Sequence, residues 1–410
     1  LTRRHGSGTT GYMTRFDPLF QHGLERLTEQ GRLRTSRSLD PRADAQLVRA
    51  DGTALVDFSS NDYLGLRLHP LLRDRAAEWG ARYGAGSGAS RLVSGTCSGA
   101  VQLEARLAAL KGTEAACIFS SGWQANATLV PALARLSAAV LDAPAVIFAD
   151  KLIHASLYQG CAAAGIQPLR FRHNDVAHLA TLLEKHADTP GLKIVLTESV
   201  FSMDGDRADL PALAAVCRAH NAFLCVDEAH ATGILGENGR GLAHGLADLV
   251  VGTFSKALGC MGAFVASSNA VCQWLMNSGS GYIFSTAPSP MVLGAVDAAL
   301  DLQPTPELEQ TRTHVAALSA LLRAQVQGMG LDTGPSSTQI VPIIVGGEQT
   351  ALQAAQAMEQ AGFLTVAIRP PTVPPGGCRL RVVVHGFHTQ TQVLALVDAL
   401  RNVVRQGVTA

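Results

Sequence analysis

Along most of the chain, short apolar runs alternate with stretches whose apolar residues recur every three to four positions. Seven runs have strand length: 115–119, 145–150, 169–171, 193–197, 222–226, 249–252 and 262–266. They are too short for buried helices and are bounded by turn residues. Helical periodicity fills gaps at 101–110, 176–186 and 210–220, and turns at 120–126 and around His154 open two more helices. The alternation predicts an α/β fold with a mostly parallel, seven-stranded sheet covered on both faces. Ligands bind such sheets beyond the carboxyl ends of the strands.

The flanks read differently. Residues 14–39 predict an amphipathic helix followed by a basic stretch with Arg32, Arg34 and Arg37. Segments 47–48 and 55–58, split by Asp51-Gly52, read as a hairpin that runs into a polar turn at 59–65, and 71–83 is helical. After 289–330, a helical stretch broken at Pro304 and Pro306, the elements shorten. Strands are expected at 340–345, 364–368 and 378–384, and helices at 349–361 and 390–404. The expected organisation is an N-terminal segment over 1–62, a large domain over 63–303 and a small C-terminal α/β domain over 304–410. Leu1 to Tyr12 is rich in Gly, Ser, Thr and Arg and reads as an added leader, with Met13 as the natural start.

Composition narrows the function classes. In 410 residues, 33 Lys+Arg balance 33 Asp+Glu, which argues against a nucleic-acid backbone partner. No apolar run reaches membrane-spanning length, and no signal peptide opens the chain. The eight cysteines are scattered without a C-x-x-C pair and read as reduced core residues of a cytoplasmic protein. Residues 84–91 formally match the dinucleotide fingerprint, but a helix precedes them where a strand is required, so they read as a substrate-facing loop. Asp227-Glu228-Ala229-His230 spells a helicase box, yet the chain has no P-loop. His385/His388 and His173/His178 lack companions at ligand spacing, so no metal is expected.

Candidate chemistry gathers at the strand ends. Lys256 follows an apolar strand among small and apolar neighbours. That setting suits an amine with a depressed pKa that can attack a carbonyl, although a plain loop lysine is the alternative. Gly122-Trp123, His154, Ser202, Asp227 and His230 fall at or just after other strand ends. The set fits pyridoxal phosphate, which needs a lysine for its aldehyde, an acid at the pyridine nitrogen, a ring-stacking group and a phosphate cradle. Lys256 and Asp227 supply the first two, His154 can stack, and Gly122-Trp123 with Thr253 can hold the phosphate.

The runs at 58–66, 198–206, 226–233 and 253–257 then carry a resemblance. From about residue 25 onward the chain resembles the α-oxoamine synthase family of fold-type I pyridoxal phosphate enzymes. These acyltransferases join an amino acid to an acyl thioester with loss of CO2. The resemblance implies that Lys256 carries the cofactor as a Schiff base and that Ser202 and His230 hydrogen-bond its phenolic oxygen. It also implies that Ser285 and Thr286 reach the phosphate of the neighbouring subunit in a homodimer with shared sites. Arg381 would bind the amino-acid carboxylate with Asn61 nearby, and Arg34 and Thr372 would face the acyl substrate. Segment 368–376 followed by Arg379-Leu380-Arg381 directs the expectation, within the family, to L-alanine and a pimeloyl thioester of CoA or a carrier protein, in biotin synthesis. Glycine with an acetyl thioester, and a non-catalytic interaction subunit, are the alternatives. The chain departs from the family at Trp123, where a smaller aromatic is usual, and at Val382–Thr389, a run expected to bear on acyl choice.

Overall fold

The computed structural model describes residues 14–42 and 44–405. The leader expected over 1–12 lies outside them. Helix α1 (Asp17–Glu29) buries none of its side chains. It is followed by β1 (Leu39–Pro41), β2 (Gln46–Arg49) and β3 (Ala54–Asp57). The β2–β3 hairpin has the expected antiparallel register, Leu47 opposite Leu55, and turns through Gly52 at φ +85°. Helices α2 (Pro70–Tyr83) and α3 (Ser98–Lys111) then lead to the central sheet.

That sheet comprises β4 (Ala115–Phe119), β5 (Val146–Asp150), β6 (Leu169–Phe171), β7 (Lys193–Glu198), β8 (Phe223–Asp227), β9 (Leu249–Thr253) and β10 (Ala263–Ser267), in the order β4-β10-β9-β8-β7-β5-β6. Strands β6, β5, β7, β8 and β9 are parallel neighbours, and β10 runs antiparallel to both β9 and β4. The interleaved helices α4 (Gly122–Leu141), α5 (Ala155–Ala163), α6 (Val176–Lys185) and α7 (Leu210–Ala219) cover it. Separate apolar clusters pack on its two faces. Leu129, Leu133 and Leu157 meet Ile147 and Val251 on one, and Leu179, Leu213 and Cys217 meet Val195 and Val226 on the other. Because both faces are dry, strands such as β4 (Ala-Ala-Cys-Ile-Phe) carry apolar residues at consecutive positions rather than at alternate ones.

Helices α8 (Asn269–Ser278) and α9 (Ser280–Ile283) follow, which the sequence pattern did not predict. After α10 (Pro290–Leu302) and α11 (Pro306–Gly328), β11 (Ile340–Gly346) starts a third, three-stranded sheet, with α12 (Glu348–Gln360) packed on it. The single strand expected over 364–368 is two strands in two sheets. Phe363–Leu364 (β12) pairs with β3 in parallel, whereas Val366–Ile368 (β13) pairs with β14 (Cys378–Val383), which also pairs with β11. Helix α13 (Gln390–Arg405) closes the chain as described. The β12–β3 pairing seats Phe58 against Phe363 and brings Asn61 and Tyr63 to the mouth of the central sheet, next to β14.

Candidate active site

The carboxyl ends of β5, β7, β8 and β9 open into a cavity of about 280 Å³. Asn61, His154, Ser202, His230, Lys256 and Arg381 line it, and Ser59, Met203, Val366 and Ile368 complete the wall. Six predicted residues from six separate chain segments therefore meet in one place. Two apolar side chains come from β13, so the split of the expected strand is what supplies that wall.

Lys256 stands three residues beyond the β9 end, on a turn closed by Gly259 N–H to the Lys256 carbonyl at 2.9 Å. Burial lowers the pKa of its amine, against the opposing pull of Asp227 and Glu198. Asp227, at the end of β8, is buried. Its Oδ1 accepts the Ala229 N–H at 2.8 Å and its Oδ2 accepts Asn126 Nδ2 at 2.7 Å. Asn126 Nδ2 also donates to Ser156 Oγ at 2.9 Å, and Ser156 Oγ lies 2.7 Å from His154 Nδ1. One polar chain thus runs from the buried acid to the cavity histidine. Glu198 sits beside Asp227 in the β7–β8 register, and burial followed by the Asp227 charge pushes it well above the usual carboxylate range.

His154 caps α5, its Nδ1 accepting the Ser156 N–H, so the cap and the cavity positions are one and the same. Burial lowers its pKa, Asp227 opposes and Lys256 reinforces. Trp123 packs edge-on against it, ring centroids 6.1 Å apart. Burial also takes His230 well below the usual imidazole value, with Lys256 and Arg381 adding to the effect. Its Nδ1 is 2.5 Å from the Tyr63 hydroxyl, and its carbonyl accepts from Gln339 Nε2 at 2.9 Å. Arg381 is held by Nε to the Ser202 carbonyl at 2.6 Å and by Nη1 to Asn61 Oδ1 at 3.1 Å, which leaves Nη2 for a ligand.

Helix α4 begins beside β9. Ser121 Oγ caps the Gln124 N–H, and the Gly122 and Trp123 N–H groups stay outside that cap. A Cβ on Gly122 would come within 3.9 Å of Thr253 Oγ1, so the glycine keeps open the space between helix start and strand end. A half-buried lysine lining the cavity, a buried acid and a helix start with spare N–H donors fit pyridoxal phosphate: amine for aldehyde, acid for pyridine nitrogen, cradle for phosphate.

Four predicted residues lie elsewhere. Ser285 and Thr286 line a separate cleft with Gln124, whose Nε2 donates to Ser285 Oγ at 2.6 Å. Arg34 and Thr372 are exposed and do not line the cavity within this chain. The run after Arg381 also stays out of the wall. Val382, Val383 and Val384 are buried in the main core, and His385 Nε2 is 2.9 Å from the Asp57 carbonyl. Sequence reasoning missed Asn126, Ser156, Tyr63 and Gln339. Only Asn126 left a signal, one helical turn beyond Gly122 on the face that looks into the site.

The aminotransferase class I and II family profile matches residues 53–400. An 8-amino-7-oxononanoate synthase of Gluconacetobacter diazotrophicus is 54% identical over 396 residues, 96% of this chain and 99% of that protein. A serine palmitoyltransferase from S. paucimobilis, solved with a PLP–myriocin aldimine, superposes with a TM-score of 0.86 at 28% identity, covering 96% of this chain and 98% of that one. An 8-amino-7-oxononanoate synthase structure from Francisella tularensis gives 0.73 at 25% identity, covering 86% and 98%. The cavity lysine, the acid beneath it and these likenesses agree: the chain belongs to the aminotransferase class I and II family and, within it, to the α-oxoamine synthases.

Proposed function

We propose that the protein is an 8-amino-7-oxononanoate synthase, condensing L-alanine with a pimeloyl thioester and releasing CO2, in biotin synthesis in the cytoplasm. The observation that carries the reading is Lys256, a half-buried amine of lowered pKa facing a cavity that also holds Arg381. When bound, pyridoxal phosphate supplies an aldehyde for the amino group of alanine and a cationic ring that stabilises a Cα carbanion. The chain's own residues do the rest. Arg381 holds the alanine carboxylate through its spare Nη2. Lys256 Nζ, its pKa lowered by burial, takes the Cα proton and later returns one to carbon. The Asp227 carboxylate, oriented by Asn126, keeps the pyridine nitrogen protonated. His154 would stack on the cofactor ring and donate to the thioester or carboxylate oxygens, and Ser202 and His230 would hold the phenolic oxygen.

The reading includes a homodimer with shared sites. Ser285 and Thr286 sit apart from the Lys256 cavity, where a partner's phosphate would complete their cleft, and Trp123 and Phe284, next in the chain to Gln124 and Ser285 of that cleft, are exposed apolar side chains. It also keeps the division into an N-terminal segment to residue 62, a large domain to 303 and a small domain to 410. The test is an assay of the PLP-loaded protein with pimeloyl-CoA or the pimeloyl carrier protein against alanine, glycine and serine. Alanine-dependent thiol and CO2 release supports the reading, and preference for glycine with acetyl-CoA replaces it with the glycine alternative. No thiol release with any pair leaves a non-catalytic role.

A further inference from the structure

His173 stands outside the cavity, on the turn between β6 and α6, and nothing in the proposed reaction uses it. Its ring nitrogens face two carboxylates: Nδ1 is 2.9 Å from Asp150 Oδ1 and Nε2 is 2.9 Å from Asp206 Oδ2. A neutral imidazole has one N–H and one lone pair, so one contact would set that lone pair against a carboxylate oxygen. With Asp150 and Asp206 both ionised, both contacts are hydrogen bonds only when the ring carries both protons.

The carboxylates belong to the two loops that furnish the cavity. Asp150 ends β5, and its Oδ1 also accepts the Leu152 N–H at 2.8 Å on the turn that delivers His154. Asp206 lies in the loop after β7 that delivers Ser202, and its carbonyl accepts the Phe201 N–H at 3.1 Å. Phe201 in turn packs edge-on against the His173 ring, centroids 4.4 Å apart. Asn174 repeats the link, its N–H to Asp150 Oδ2 at 2.9 Å and its Nδ2 to Asp206 Oδ2 at 2.6 Å.

We propose that His173 is a positioning residue: a doubly protonated imidazolium that ties the His154 turn to the Ser202 loop and so fixes both walls of the cavity. The proposal rests on reading that cavity as the catalytic site. The other charges nearby are engaged elsewhere. Asp175 accepts from Arg172 Nε at 2.7 Å and from the His178 N–H at 2.8 Å, and Arg207 meets Asn174 only through its carbonyl. Burial works against the charged ring, but hydrogen bonds to Asp150 and Asp206 outweigh it and its pKa is pushed up to about 10.

One test needs no variant. Neutron diffraction from crystals of the PLP-loaded chain at pH 8 should show deuterons on both ring nitrogens of His173, and a single deuteron overturns the proposal. Kinetics then separate positioning from plain scaffolding. His173→Gln keeps a donor for one carboxylate but loses the charge, and should lower kcat/KM for alanine by about tenfold or more, the scale of a lost charge-assisted hydrogen bond. Adding Asp206→Asn removes the stranded carboxylate and should recover about threefold or more. Unchanged kcat/KM in the single variant, or no recovery in the double, refutes the positioning role. Should His173→Gln not fold, Asp206→Asn alone decides. With one carboxylate gone, the ring should titrate lower, and kcat/KM should fall with rising pH at lower pH than in wild type; an unshifted profile overturns the proposal. A doubly protonated ring in a protein that turns over no thioester would sink the assigned reaction and leave the imidazolium bridge standing.

Discussion

Asn126→Ala tests whether the acid beneath the cavity depends on its buried amide partner. Asn126 is 1% exposed, and its Nδ2 is shared by Asp227 Oδ2 at 2.7 Å and Ser156 Oγ at 2.9 Å. Truncation leaves Asp227 only the Ala229 N–H and severs the chain that reaches His154 through Ser156. A hydrogen bond to a charged group contributes about 1.5–3 kcal/mol, and about 1.4 kcal/mol is tenfold in rate. If the bond serves to orient Asp227, kcat/KM for alanine should therefore drop roughly 10- to 150-fold. Steady-state thiol release with pimeloyl-CoA measures it, with thermal unfolding followed in parallel to confirm that the variant is folded. Asn126→Asp should be worse at neutral pH, because it sets a second carboxylate against Asp227. A folded Asn126→Ala protein within about twofold of wild type would refute the orientation argument, since that change is below 0.5 kcal/mol.

Lys256→Ala should reduce turnover by about 10²–10⁴-fold or more, the range for loss of a positioned acid–base group, and should abolish the visible absorbance of the PLP-loaded protein; retained turnover refutes its role. Lys111→Met should destabilise the fold by about 3–5 kcal/mol in urea titration, because it strands a buried charge. Lys111 Nζ donates to Glu228 Oε2 at 2.7 Å, Thr232 Oγ1 at 2.8 Å and the Arg240 carbonyl at 2.7 Å, and both charged side chains are at most 1% exposed. His173, raised to about 10, binds a proton in the fold that the unfolded chain releases near 6.5. Its stabilisation is complete below that unfolded value and is lost as pH rises through about 10, so the urea midpoints of wild type and His173→Gln should converge over that window; a constant gap would contradict it.

The strands of the central sheet were legible because their signal is local: each is a short apolar run, buried on both faces, between turn residues. Where burial stopped being two-sided, the reading lost detail. Residues 364–368 look like one strand, but Thr365 is where the chain passes from the parallel partner β3 to the antiparallel partner β14, and no periodicity records a change of partner. Helices α8 and α9 lie in a segment whose Gly and Ser content masks the period, and their hold comes from packing on α4 and β4.

Taken alone, the sequence determined the α/β class and the strand-end positions of Lys256, Asp227, His154 and Ser202, because a strand end places its residues by local geometry. It also carried motifs specific enough to name a family. Only tertiary structure decided which groups share a bond: Asn126 with Asp227, Arg381 with Asn61, His173 with both Asp150 and Asp206. It likewise placed Arg34 and Thr372 outside the cavity of this chain and turned Val382, Val383 and Val384 into the core. Those pairings join residues from 23 to 320 positions apart. They are fixed by sheet order and by how loops pack, which residue types in a row do not encode locally.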